Sequence, residues 1–146
     1  MGAIKKSVSI NAPAERVWDV LVKDELNRQW FAVFSKDTYA DTDWKQGSRV
    51  SFLDGSGMGI TGKLTTVEVY KTIAIDYDGV IADGKPDYES KGALEMQGSR
   101  EIYRLASADG ITLLDVELEM PEQYTGMMLE MWDKGIIKIK EIAEIN

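Results

Sequence analysis

The chain of 146 residues contains neither histidine nor cysteine. Any chemistry it performs must use carboxylates, tyrosines, lysines or arginines. A Ser–His–Asp or Cys–His constellation is excluded, and so is a histidine general base. Zinc, copper and haem lose their usual ligands, leaving only oxygen-bound metals. Among the acids, Glu101 has the most informative spacing. Glu101, Tyr103 and Leu105 recur with a period of two, so on a strand they share one side. If that side is the interior, a carboxyl stands in apolar surroundings. Such a group is costly unless paired or protonated, and it can orient a polar ligand group or act as an acid or base. Gly98-Ser99 just before it favours the opposite outcome, a bulge that turns Glu101 to solvent. Arg49 and Arg100 are possible partners but read as surface charges.

Two further patterns imitate known sites. Asp76, Asp78, Asp83, Asp87 and Glu89 have the density of a calcium loop, but Val80 and Ile81 stand at the fifth and sixth positions, where an EF-hand needs a ligand side chain and a glycine. A solvated hairpin tip is the expectation. Gly57-Met58-Gly59-Ile60-Thr61-Gly62 spells G-x-G-x-x-G, which in a dinucleotide fold opens a helix. Here Ile60, Leu64 and Val67 to Val69 continue as strand, so the glycines are expected to make a tight turn and a bent strand.

The elements that position these residues follow from periodicity. Lys6, Val8 and Ile10 alternate with Ser7, Ser9 and Asn11 as a strand. Pro13 suits the first turn of a helix, capped by Asn11 or the turn around it, with Val17, Trp18 and Leu21 as its apolar face. Trp30-Phe31 closes a second short helix. Strands are expected at 49–53, 57–69, 72–77, 101–105 and 112–120, separated by Asp-Gly and Gly-rich turns. A long amphipathic helix from about Glu122 to Glu144 presents Tyr124, Met128, Met131, Trp132, Ile139 and Ile142 on one face with Gly135 among them, while Ile137 falls on the polar side. Antiparallel strands in a run, closed by one helix, argue an α+β fold with the helix across one sheet face.

These segments, in order, resemble the START/Bet v 1-like (SRPBCC) superfamily, and within it the Hsp90-ATPase-activator-homologue type. The resemblance rests on Ile10-Asn11-Ala12-Pro13-Ala14-Glu15-Arg16-Val17-Trp18, Trp30-Phe31, Trp44-Lys45-Gln46-Gly47-Ser48-Arg49-Val50-Ser51-Phe52, Thr61-Gly62-Lys63-Leu64 and Asp109-Gly110-Ile111-Thr112-Leu113. It spans nearly the whole chain, except that residues 78–98 form a longer connection than is usual in the family. It implies a helix-grip fold, a curved antiparallel sheet wrapped around the long C-terminal helix and enclosing an apolar cavity. With such a cavity, the inward positions Trp30, Phe34, Phe52, Tyr77, Tyr103, Tyr124, Met128 and Met131 become candidate ligand-binding walls, joined by Glu101 if it points inward. Each is equally at home in an ordinary core.

Composition sets the remaining bounds. The length fits one domain over residues 1–146. No apolar run is long enough for a membrane span, and no signal peptide is evident, so a cytoplasmic protein is the expectation. The formal net charge of −8, without a basic stripe, argues against nucleic acid as a partner. No cofactor and no metal are expected. The leading function is non-catalytic binding of a small apolar or amphipathic molecule. A protein-interaction module of the Hsp90 co-chaperone kind and a polyketide cyclase/aromatase-like enzyme are the alternatives, since fold analogy cannot choose among them.

Overall fold

The computed structural model describes residues 1–145. Within them the chain runs β1 (Gly2–Ile10), α1 (Ala14–Val22), α2 (Asp24–Phe31), β2 (Tyr39–Asp41), β3 (Arg49–Leu53), β4 (Gly59–Glu68), β5 (Thr72–Ala82), β6 (Lys85–Asp87), α3 (Lys91–Met96), β7 (Arg100–Ala108), β8 (Ile111–Met120) and α4 (Thr125–Glu144). All strand pairs are antiparallel, in the order β1-β8-β7-β5-β4-β3-β2, with β6 attached to β5. The curved sheet grips α4, which packs on β1, α1 and α2. This is the helix-grip α+β architecture that the resemblance implied.

The period-two pattern of β1 works as expected, with Ile4 and Ile10 buried and Val8 half-buried. Pro13 is the N-cap of α1 (φ −71°, ψ 160°), not its first helical residue. Its carbonyl accepts from Arg16 N and Val17 N. No side chain caps this end, and the backbone N–H of Asn11 donates to Glu144 Oε2 at 2.8 Å. Arg16 crosses from α1 to the end of α4, where its guanidinium donates to the carbonyls of Ile142 (2.9 Å) and Ile145 (3.3 Å). It thus adds donors at the carbonyl end of the helix, where Ile142 O also accepts from Ile145 N at 3.4 Å.

The buried stripe of α4 is Trp132, Gly135, Ile136, Ile139, Ile142 and Ala143. Ile136 and Ala143 join the expected face, Met128 and Met131 sit half-buried on its flank, and Ile137 is exposed. Tyr124 departs from expectation: it is 40% exposed, and its hydroxyl donates to Glu95 at 3.3 Å. The cause is a 3-10 turn at Glu122–Tyr124. Three residues per turn shift the phase before the 3.6-residue repeat of α4 begins.

The connection at 78–98 is also different from a simple loop. Strand β5 continues to Ala82, turns through Asp83-Gly84 (φ 51° and 74°) into β6, and leads to α3, whose N-cap Ser90 accepts from Ala93 N. Its acids do not share a hairpin tip. Asp76 pairs with Arg100 (3.0 Å), Asp78 with Arg49 (2.7 Å), and Asp87 accepts from Glu89 N and Ser90 N. Among the described residues no group of acids could hold a metal ion.

Candidate functional site

The sheet, α2 and α4 leave a cavity of about 200 Å³ between them. Strands β3, β5 and β7 contribute Phe52, Tyr77, Glu101 and Tyr103; α2 and the turn after it contribute Trp30, Phe31 and Phe34; α4 contributes Met128 and Trp132. Ser35, Thr38, Asp54 and Met58 supply the more exposed members of the lining and form its rim. The rings hold one another in edge-to-face and tilted contacts. Trp30 lies 4.6 Å from Phe31 and 5.8 Å from Trp132 between centroids, and Phe34 lies 4.9 Å from Trp132. Trp30 Nε1–H donates to Val20 O at 2.9 Å, which fixes the indole at the back of the cavity. Trp132 Nε1–H is buried without a protein partner among the described residues.

Two glycines make these approaches possible. At Gly59 a Cβ would stand 2.0 Å from the Phe52 carbonyl oxygen, so only glycine lets β4 pair this closely with β3 at the cavity. At Gly135 a Cβ would stand 2.9 Å from the Phe34 ring, so the missing side chain makes room for that ring on α4. The G-x-G-x-x-G segment is therefore turn and strand, as expected, with Gly62 at a register shift between β4 and β5. Asp54 closes the turn before it. Its Oδ1 accepts from Ser56 N (2.8 Å) and Ser56 Oγ (2.6 Å), and these bonds hold its carboxyl below the usual range.

Glu101 faces the cavity, contrary to the bulge reading. The irregularity at Gly98 (φ 86°) ends before the strand begins, and Ser99 O accepts from Tyr77 N at 2.9 Å. From Arg100 onward β7 pairs in regular register, with Glu101 opposite Ile75 on one side and Leu118 on the other. Period two then sends Glu101 inward with Tyr103 and Leu105. Tyr103 Oη donates to Glu101 Oε2 at 2.5 Å. The carboxyl retains some accessible area because the cavity reaches it, but its surroundings are low in polarity. Burial pushes it up to about 7, against the smaller opposing effects of hydrogen bonds from Tyr103 and Tyr77. The same burial, with the carboxylate adjacent, pushes both tyrosine hydroxyls well up. Arg49 and Arg100 are engaged with Asp78 and Asp76 and do not pair with Glu101. Near neutral pH this group exists in both forms, so it can donate or accept a hydrogen bond.

The cavity thus brings together Trp30, Phe34, Phe52, Tyr77, Glu101, Tyr103 and Met128 of the predicted set, and leaves out Tyr124 and Met131. It adds Phe31, Trp132 and the rim. Trp132 stands four residues after Met128, a spacing that places both on one helix face. The rim residues lie in turns, where no periodicity marks an inward direction.

The model of the family described as activator of Hsp90 ATPase homolog 1-like protein matches residues 11–143. The chain belongs to this family. Solved structures agree on the fold. The Aha1 dimer from Colwellia psychrerythraea matches with a TM-score of 0.74 at 17% identity, over 99% of this chain and 98% of that one. Protein MLL2253 from Mesorhizobium loti matches with a TM-score of 0.75 at 16% identity, over 97% and 96%. CalU16 from Micromonospora echinospora matches with a TM-score of 0.67 at 19% identity, over 97% and 75%. No curated protein matches the sequence. Among the described residues no helix is long and apolar enough to cross a membrane.

Proposed function

We propose that the chain binds a small apolar or amphipathic molecule in the cavity between sheet, α2 and α4, with Glu101 meeting a polar group of the guest. One observation carries this reading: a space of about 200 Å³ whose walls bear seven aromatic rings and one inward carboxyl. Pockets for small molecules combine apolar walls with a few placed polar groups in this way. Apolar cavities of roughly 150 Å³ already take a benzene-sized guest. Membership of a family within the SRPBCC fold supports the same reading. The test is native mass spectrometry of the freshly purified protein, followed by titration with small neutral aromatics read by amide shifts. A retained molecule, or shifts that cluster at Trp30, Tyr103 and Trp132, is the expected result. Shifts scattered over the surface would remove the basis of the proposal.

A second reading takes Glu101 as an acid or base for a bound substrate, because a carboxyl near 7 with tyrosines beside it has a proton to exchange at neutral pH. Turnover of a bound molecule lost in Glu101→Gln, with binding retained, supports this reading over simple binding. The family description also points to an Hsp90-type partner. The exposed apolar residues of α4 give it little: at about 100° per residue, Met127, Leu129 and Ile137 spread over roughly 160° of the helix and form no continuous stripe. No stimulation of an Hsp90-type ATPase is expected on titrating the protein in, and a salt-sensitive rise in rate would refute this.

A further inference from the structure

We propose that the cavity selects small amphipathic amines, held as ammonium ions at Glu101, over carboxylates of the same shape. The inference rests on the binding reading above and adds the chemical class of the guest. Its first ground is the inventory of ionisable groups in the wall. Glu101 and Asp54 are both acids, and the other two groups are the hydroxyls of Tyr77 and Tyr103. Among the described residues no lysine or arginine lines the cavity. The nearest candidates on the sheet, Arg49 and Arg100, are held by Asp78 and Asp76. A carboxylate guest therefore loses its hydration without gaining a counter-charge, and it meets like charge instead.

The second ground is the aromatic wall. Ring faces carry negative potential and attract cations, most strongly where water is excluded. An ammonium group beside Glu101 has a carboxylate within reach and rings around it. Tyr103 holds Oε2 from one side, which orients the carboxyl and leaves it acceptor capacity for an incoming N–H. The third ground is the approach. Asp54 is kept ionised at the rim by the Ser56 and Met58 donors, and the whole chain carries a net charge of −8. Both concentrate cations and repel anions.

A pH dependence follows. Around Glu101, β7 presents Tyr103, β5 presents Tyr77, the β3–β4 turn presents Asp54, and β8 presents Leu118, while α2 and α4 present only untitratable side chains to the cavity. Since the free carboxyl titrates at about 7, an ammonium guest must displace its proton at lower pH. Amine affinity should therefore rise from pH 6 to pH 8 and then level off.

The experiment titrates 2-phenylethylamine, 2-phenylethanol and 3-phenylpropionate into wild type and Glu101→Gln, by calorimetry and by the fluorescence of the wall tryptophans Trp30 and Trp132. At pH 8 the amine is expected to bind wild type at least roughly tenfold tighter than the alcohol, the usual scale of a charge-assisted hydrogen bond, and the acid weakest. The advantage should shrink at pH 6 and vanish in Glu101→Gln. If the alcohol binds and the amine binds no tighter, or the acid binds as well as the amine, the cation inference is overturned and the cavity reading stands. An amine advantage that survives Glu101→Gln overturns the placement of the charge. If no probe binds, the cavity reading fails and the inference fails with it. The pH profile of wild type supplies the test without any variant.

Discussion

Replacing Glu101 by glutamine keeps the size of the side chain and an acceptor for Tyr103, and removes the titration that burial creates in the cavity wall. The sign of its effect on stability follows from the direction of the shift. The carboxyl titrates at about 7 in the folded chain and at about its ordinary 4.5 when unfolded. Between those values the folded state holds a proton that the unfolded state has lost. Stability is therefore greatest at the acid side of the window and falls as pH rises through it. At about 1.4 kcal/mol per pH unit, the gap between 4.5 and 7 amounts to at most about 3 kcal/mol, since the cavity leaves the group some contact with water. Glutamine has no such slope. Its variant should become more stable relative to wild type between pH 5 and pH 8, by up to roughly 7 °C in Tm, at about 3 °C per kcal/mol for the roughly 2.5 kcal/mol that falls inside this window. Thermal unfolding of both proteins at four pH values gives the difference, in which the titration of all other carboxylates cancels. A difference in Tm that stays constant from pH 5 to pH 8 would mean that Glu101 titrates as a solvated acid, and its placement in the wall would be wrong.

Other perturbations test the remaining parts. Met128→Trp places an indole where a flexible thioether lines the cavity, so small aromatics should bind at least roughly tenfold more weakly while circular dichroism stays native; unchanged binding would put the guest elsewhere. Gly59→Ala forces a Cβ to 2.0 Å from the Phe52 carbonyl oxygen, and should lower stability by more than about 2 kcal/mol in urea unfolding. Arg16→Met removes the donors that serve the end of α4 and should cost about 1–2 kcal/mol. Faster hydrogen exchange in that variant should be confined to the last turn of α4.

The long strands and the buried face of α4 were legible because each repeats its signal over several turns or pleats. Strand β8 alternates from Thr112 to Met120, and Trp132, Ile139 and Ile142 keep helical spacing. The three-residue strands β2 and β6 and the six-residue α3 are too short to display a period, and their pairing is set by neighbours distant in sequence. Tyr124 was misplaced because one 3-10 turn changes the phase. Glu101 was the hardest to read. Sequence offered two facings, and the choice depended on whether the distortion at Gly98 ended before Arg100, which the pairing of β7 with both β5 and β8 decides. Asp54 and Met58 join the cavity only through the turn that Asp54 itself caps.

The pairing of β1 with β8 has a kinetic side. Ile10 meets Thr112 and Gly2 meets Met120, so among the described residues the first strand has its sheet partner in β8, more than 100 residues later at every pair. Arg16, Asn11 and Ser9 likewise complete their contacts only with α4. At roughly 5–20 residues per second of synthesis, β1 waits on the order of 5–20 seconds for its partner to be made. Over that interval Ile4, Val8 and Ile10 have no sheet to join, while the hairpins from β3 to β5 can already form from neighbouring sequence. Closing so large a loop comes late and slowly. The apolar face of β1 therefore stays unpaired while the residues between it and β8 are made, and this segment is where a holding chaperone would find the nascent chain.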